Sequence, residues 1–219
     1  MPALIVRKAG LCDYTPVWHA MQAFTEQRDD TTPDEIWFVQ HYPVFTLGRN
    51  ASEQHLLSPG AIPVVKTDRG GQVTYHGPGQ LMAYLLIDIQ RKQTGVRQLV
   101  SLLENSVIDM LAEYGVNAMA RRDAPGVYVD NAKTAALGLR IRKGKSYHGL
   151  SLNVDMDLEP FSFINPCGME DLAVTQTRTL GGPENIELAT EKLLAQLMKQ
   201  LGHGSMQIHE LNPEKWQTA

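Results

Sequence analysis

With 219 residues, 43% hydrophobic and 20% charged, the chain has the make-up of an ordinary globular protein, and a single domain over residues 1–219 is expected. A net charge of −4 offers no general field for nucleic acid, so no nucleic-acid partner is expected. Two cysteines, Cys12 and Cys167, make no disulfide framework and point to a reducing, cytoplasmic setting; the N-terminus has no secretory pattern and the longest apolar run, 81–89, is too short for a bilayer, so no membrane partner is expected.

In chain order, Thr15 before Pro16 marks the start of a first helix, with Val17, Trp18, Met21 and Phe24 repeating at helical spacing. Glu35 to Gln40 predicts a strand, Ile62 to Lys66 a short one, and Leu81 to Ile89 a central strand covered on both faces. A long helix from Val96 to Tyr114 carries Leu99, Leu103, Val107, Met110 and Leu111 on one face and ends at Gly115. Short strands follow at Gly126 to Val129, Thr134 to Ile141 and Tyr147 to Val154, with a hairpin turn at Lys143-Gly144-Lys145. A last helix from Asn185 to Leu201 is closed by Gly202. Strands outnumber helices and hairpins mix with crossovers, which predicts an α+β fold: a mixed β-sheet flanked by helices.

Cys167 lies in Asn-Pro-Cys-Gly at 165–168, where proline and glycine fix a sharp turn able to present a sulfur to a cleft. A free thiol is a nucleophile only as its thiolate, so this role needs a cation or base nearby; otherwise Cys167 is a small buried hydrophobe. Cys12 has no such framing and is taken as structural. Lys133 opens a run of small and apolar residues, where partial desolvation would lower its pKa and let it move protons near neutrality. It could equally be a strand-end lysine reaching water. Glycines at 70, 71, 77 and 79 let a ligand approach the main chain, but neither the dinucleotide nor the phosphate-loop spacing is present. His76 and His148, each before a glycine, either bring their imidazoles to the cleft mouth or, the first expectation for each taken singly, make structural hydrogen bonds. No zinc-ligand spacing appears, so no metal is expected. Arg140, Arg142, Lys143 and Lys145 cluster at the hairpin tip, either as a solvated turn or as a docking patch for an acidic carrier; Arg121 and Arg122 lie elsewhere.

Read together, Arg-Gly-Gly-Gln-Val-Thr-Tyr-His-Gly-Pro-Gly-Gln at 69–80, Lys-Thr-Ala-Ala-Leu-Gly-Leu-Arg-Ile at 133–141, Tyr-His-Gly-Leu-Ser-Leu-Asn-Val at 147–154 and Asn-Pro-Cys-Gly at 165–168 resemble the bacterial lipoyl(octanoyl) transferase family. The likeness runs from about Val17 to Thr177 and includes Tyr-Pro-Val-Phe-Thr-Leu-Gly at 42–48. It implies the fold of the biotin and lipoate protein ligases, a class II synthetase-like core. It also implies an enzyme that moves an octanoyl (or lipoyl) group from acyl carrier protein to a lysine of lipoyl domains, in E2 subunits and the glycine cleavage H protein. By resemblance Cys167 is the acyl-thioester nucleophile and Lys133 the acid/base that lowers its pKa. The acyl substrate would be held by Arg69, Gly70, Gly71, Gln72, Val73, Thr74, Tyr75 and His76, by Ala136, Leu137 and Gly138, and by Gly149, Leu150 and Ser151. Thr134 and Ser151 depart from the family's usual aliphatic and alanine. A monomer without cofactor is expected.

The energetics agree with that implication. Acyl transfer between thiols is nearly balanced and transfer from thiol to amine runs downhill, so no ATP is needed. Lys133 would take the Cys167 proton, and the oxyanion would rest on the main-chain N–H of Cys167 or Gly77, in a ping-pong sequence. Rival readings are an ATP-dependent lipoate ligase on the same fold, a non-catalytic acyl-binding module and a thioesterase.

Overall fold

The computed structural model describes residues 3–170 and 172–211, so the domain expected over 1–219 extends past the described residues. β1 (Leu4–Cys12) leads into α1 (Tyr14–Gln27), then β2 (Glu35–His41), β3 (Val44–Leu47), β4 (Val64–Lys66), β5 (Val73–His76) and β6 (Gln80–Leu86). After α2 (Val96–Ala112) come β7 (Met119–Ala120), β8 (Gly126–Val129), β9 (Ala132–Arg142) and β10 (Lys145–Asn153), and α3 (Ile186–Leu201) precedes β11 (Met206–Glu210).

An eight-stranded sheet has the order β11-β1-β2-β6-β10-β9-β8-β7, and β4-β3-β5 form a small second sheet. β1 pairs in parallel with β2 and β11, while every pair from β2–β6 through β6–β10, β10–β9, β9–β8 and β8–β7 is antiparallel. The sheet is therefore mixed, as the pattern predicts. α2 and α3 bury Leu99, Leu103, Val107, Leu193 and Leu197 against one face, over Leu81, Leu85, Leu150 and Leu152. α1 covers the other face with Val17 and Met21, against Trp37, Met82, Tyr84 and Tyr147. Every residue of β6 is buried, which explains its unbroken apolar run. Each large side chain sealed in this way contributes about 1.5–3 kcal/mol.

The helix ends follow local chemistry. Asn185 caps α3 by accepting the Leu188 N–H at 2.9 Å, and Gly202 closes it in a left-handed conformation (φ +67°). α1 begins two residues earlier than a Thr15 cap predicts: Asp13 holds the cap position without a side-chain cap bond. Lys143 and Gly144 both have positive φ, +49° and +75°, the two-residue hairpin turn read from the sequence.

β1, β3 and β11 are strands the pattern does not announce. In β1 the register with β2 shifts between Lys8 and Leu11, with Gly10 at φ +62°, so the inward–outward alternation breaks midway. β11 is exposed along its whole length and shows no buried face to read.

Candidate active site

Strand register brings two of the glycine-rich segments together. In the β9–β10 pair, Ala136 faces Ser151, Leu137 faces Leu150 and Gly138 faces Gly149. A Cβ at Gly149 would fall 2.0 Å from the Ala83 carbonyl oxygen of β6, so only glycine fits there. The third segment docks across them, with Gly70 N–H donating to the Leu139 oxygen at 3.0 Å.

Cys167 occupies the middle of a short 3-10 turn, Pro166–Gly168, and has a left-handed backbone (φ +59°, ψ 16°). That conformation is uncommon for a side chain with a Cβ and persists only where surroundings enforce it. Here Asn165 N–H donates to the His55 oxygen at 2.8 Å, and Gly168 N–H to the Asn165 oxygen at 2.9 Å. Cys167 is half-buried, whereas Cys12 is buried. Burial pushes the Cys12 thiol up to about 12, so it stays protonated.

Lys133 is brought to Cys167 by its own main chain. Its N–H donates to the Ala173 oxygen at 2.8 Å and its oxygen accepts from Thr175 N–H at 2.9 Å, which pins the segment after Cys167 alongside β9. The Lys133 ammonium lies 2.9 Å from the Cys167 sulfur and donates to the Pro125 oxygen at 3.2 Å. It also sits 5.1 Å from the centre of the Tyr128 ring. With only 3% of Lys133 exposed, burial works against its charge, but the Cys167 sulfur and then Tyr128 outweigh it and hold its pKa above the ordinary value. This reverses the lowering expected from desolvation alone: the close sulfur wins.

Arg69, Gly71, Gln72, Val73, Thr74, His76, Ala136, Leu137, Gly138, Gly149, Leu150, Ser151 and Cys167 all line one cleft. Gly70, Tyr75 and Lys133 are not on its wall. Gly70 is engaged with β9, and Tyr75 is buried in the core of the small sheet against Phe45 and Phe161. Gly77 is off the wall too, and a Cβ there would run into the Tyr75 hydroxyl. Tyr14, Met82, Tyr84 and His148 complete the lining. Met82 and Tyr84 alternate onto one face of β6, a signal the sequence carries; nothing in the spacing marks Tyr14.

The polar residues of the wall are held by networks. Arg69 is buried and donates to the Thr46 oxygen (2.6 Å), the Gln72 oxygen (2.8 Å) and the Gly70 oxygen (3.0 Å), so it braces the glycine loop. His76 and His148 are 3% and 1% exposed, so they form the wall rather than the mouth. His76 lies between Gln80 Oε1 at 2.7 Å and Thr46 Oγ1 at 3.2 Å, and burial holds its pKa well below the ordinary value. Nε2 of His148 bonds Asp68 at 2.9 Å, and Asp68 also accepts from Trp18, Gln22 and Tyr147. Burial alone would raise Asp68, but these donors draw its pKa below the usual carboxylate range.

The basic hairpin tip is partly occupied. Arg142 pairs with Glu26, and the Lys145 ammonium donates to the Arg28 oxygen at 2.7 Å. Arg121 instead approaches the site, 5.1 Å above the Tyr128 ring while paired with Asp123.

Comparison with known proteins follows this geometry. Residues 13–201 match the family model described as the lipoyl protein ligase A/B catalytic domain. An octanoyltransferase of Shewanella oneidensis is 56% identical over 207 residues, covering 94% of this chain and 95% of that protein. One of Shewanella pealeana is 53% identical over 215 residues, 98% of each. Among solved structures, the bi-partite lipoate protein ligase of Thermoplasma acidophilum, described with its E2 lipoyl domain, has a TM-score of 0.78 at 14% identity, over 100% of this chain and 90% of that one. Lipoate-protein ligase A bound with ATP scores 0.72 at 15% identity, over 99% and 91% of the two chains. The biotin protein ligase of Aquifex aeolicus scores 0.55 at 13% identity, over 92% of this chain and 70% of that one. At such identities these structures speak for the fold alone.

Proposed function

The chain belongs to the octanoyltransferases of the lipoyl protein ligase A/B family, and from that premise we propose that Cys167 carries the octanoyl group as a thioester while Lys133 moves the protons. The observation that carries this reading is the 2.9 Å approach of the buried Lys133 ammonium to the Cys167 sulfur at the wall of the glycine-lined cleft.

Lys133 takes the Cys167 proton, leaving an ammonium beside a thiolate. The thiolate attacks the donor thioester: the bond from Cys167 Sγ to the acyl carbon forms, and the bond from that carbon to the donor sulfur breaks. Lys133 gives its proton to the departing sulfur and becomes neutral. An acceptor lysine then passes a proton to Lys133 and its nitrogen attacks the Cys167 thioester. Sγ leaves as thiolate beside the restored ammonium, and the second proton of the acceptor nitrogen goes to water. The oxyanion is assigned to the main-chain N–H of Cys167. The cleft segments at 69–76, 136–138 and 149–151 bind the acyl chain.

The donor is octanoyl-acyl carrier protein and the acceptors are lipoyl domains. The enzyme acts as a cytoplasmic monomer. Among the described residues no helix is long and apolar enough to cross a membrane. Transfer of octanoate from octanoyl-acyl carrier protein to a lipoyl domain in the absence of ATP is the test. Transfer that requires ATP, or none at all, would return the chain to the ligase or binding-module readings.

A further inference from the structure

Behind Lys133 stands a carboxylate that the scheme above does not use. Glu104 lies on the sheet-facing side of α2 between Leu103 and Val107, and is only 8% exposed. Charged side chains are seldom buried unless they are paired or hydrogen-bonded. Its Oε1 accepts the Gly126 N–H at 3.0 Å. Gly126 is held at φ +150°, and a Cβ there would lie 2.8 Å from Cε and 3.2 Å from Nζ of Lys133. The neighbouring Pro125 oxygen accepts from the ammonium, and the Ala124 oxygen accepts from the Tyr128 hydroxyl at 2.8 Å. The 124–126 loop thus wraps the lysine head, and Glu104 grips that loop from behind.

We infer that Glu104 is a positioning residue for Lys133 that serves mainly the second half of the reaction. It holds the loop around the lysine and supplies negative charge once acylation has removed the Cys167 thiolate. This rests on the proposed cysteine–lysine pair. In the first half-reaction the thiolate forms beside the ammonium; in the acyl-enzyme Cys167 is a neutral thioester. Lys133 must then accept the acceptor's proton in a buried place that disfavours its charge. Tyr128 from β8 and Cys167 from its turn face Lys133, Glu104 of α2 is linked to it through Gly126 and through charge, Arg121 stands above Tyr128 and the Arg69 charge reaches Cys167. Of these, Glu104 is a carboxylate on which the Lys133 charge acts, while burial raises its own pKa.

The test separates the half-reactions. Enzyme is acylated with the small thioester S-octanoyl-N-acetylcysteamine, and a lipoyl domain is then added for a single turnover. Glu104→Gln keeps an oxygen for Gly126 and removes the charge. Its acylation is expected to stay within about twofold of wild type, while transfer to the acceptor slows roughly tenfold near neutral pH as Lys133 becomes a weaker base. The defect should shrink toward pH 10, where the acceptor lysine loses its proton unaided. Glu104→Asp keeps the charge and should recover part of the rate. Equal slowing of both halves at every pH, or no slowing in either, overturns the inference. Lys133→Met is run beside it. If Lys133→Met slows the reaction and Glu104→Gln does not, only the Glu104 assignment falls; if Lys133→Met is also at wild-type rates, the cysteine–lysine pair falls with it.

Discussion

Replacing Lys133 with methionine removes the cation from the site while nearly preserving its volume. At 2.9 Å from the sulfur, the ammonium's attraction for a thiolate is about 6 kcal/mol with an effective dielectric constant of about 20. Cys167 is half-buried, so solvent competes, and roughly half of that value is the reasonable expectation. A loss of about 3 kcal/mol is about a hundredfold in the acylation rate. Loss of the proton donor for the leaving sulfur adds to this, within the hundredfold to ten-thousandfold range of general acid–base catalysis. The assay is stopped-flow release of donor thiol, with thermal unfolding measured on the same samples. The unfolding midpoint should hold or rise, because a buried charge has been exchanged for an apolar side chain. Acylation within tenfold of wild type by a folded Lys133→Met enzyme would refute the reasoning.

Three further outcomes follow from the same geometry. Iodoacetamide near pH 8 should add a single label to the native protein, on Cys167, because the Cys12 thiol is pushed up to about 12; peptide mapping that finds Cys12 labelled contradicts this. His41 is fully buried between the Cys12 oxygen and the Tyr84 hydroxyl, and burial holds it at about 4, so the fold keeps it neutral while the unfolded chain takes up a proton near pH 6.5. Its contribution is therefore full above about pH 6.5 and is lost as pH falls toward 4, on the order of 3 kcal/mol, visible as a falling urea midpoint; a flat midpoint across that window argues against it. Gly149→Ala would drive a methyl into the Ala83 oxygen and should destabilise by about 1–3 kcal/mol or more in urea unfolding, with an unchanged midpoint as the contrary result.

What the sequence reveals and what it conceals divide along physical lines. The helices over Val96–Ala112 and Ile186–Leu201 show an apolar stripe and their end signals, so their extents are readable to within a few residues. The glycines at 70, 138 and 149 mark places where backbones meet, and each stands against the main chain of another segment. β1 hides because its bulge at Gly10 breaks the alternation that would announce it. The burial of His76 and His148 was not readable, since a histidine before a glycine looks alike at a mouth or in a wall. The upward displacement of Lys133 depends on a sulfur 34 positions away in sequence and cannot be inferred from its own segment. Glu104 reads as an ordinary helix carboxylate; only the α2–β8 packing shows that it reaches the main chain of Gly126.

The central claim is that the acyl group passes through Cys167. Intact-mass measurement after brief incubation with octanoyl-acyl carrier protein, without acceptor, tests it most directly. The wild-type enzyme should gain one octanoyl group, mapped to the peptide containing Cys167 and lost when a lipoyl domain is added. Cys167→Ala should gain none. An adduct on Cys12, or transfer that survives in Cys167→Ala, would contradict the account.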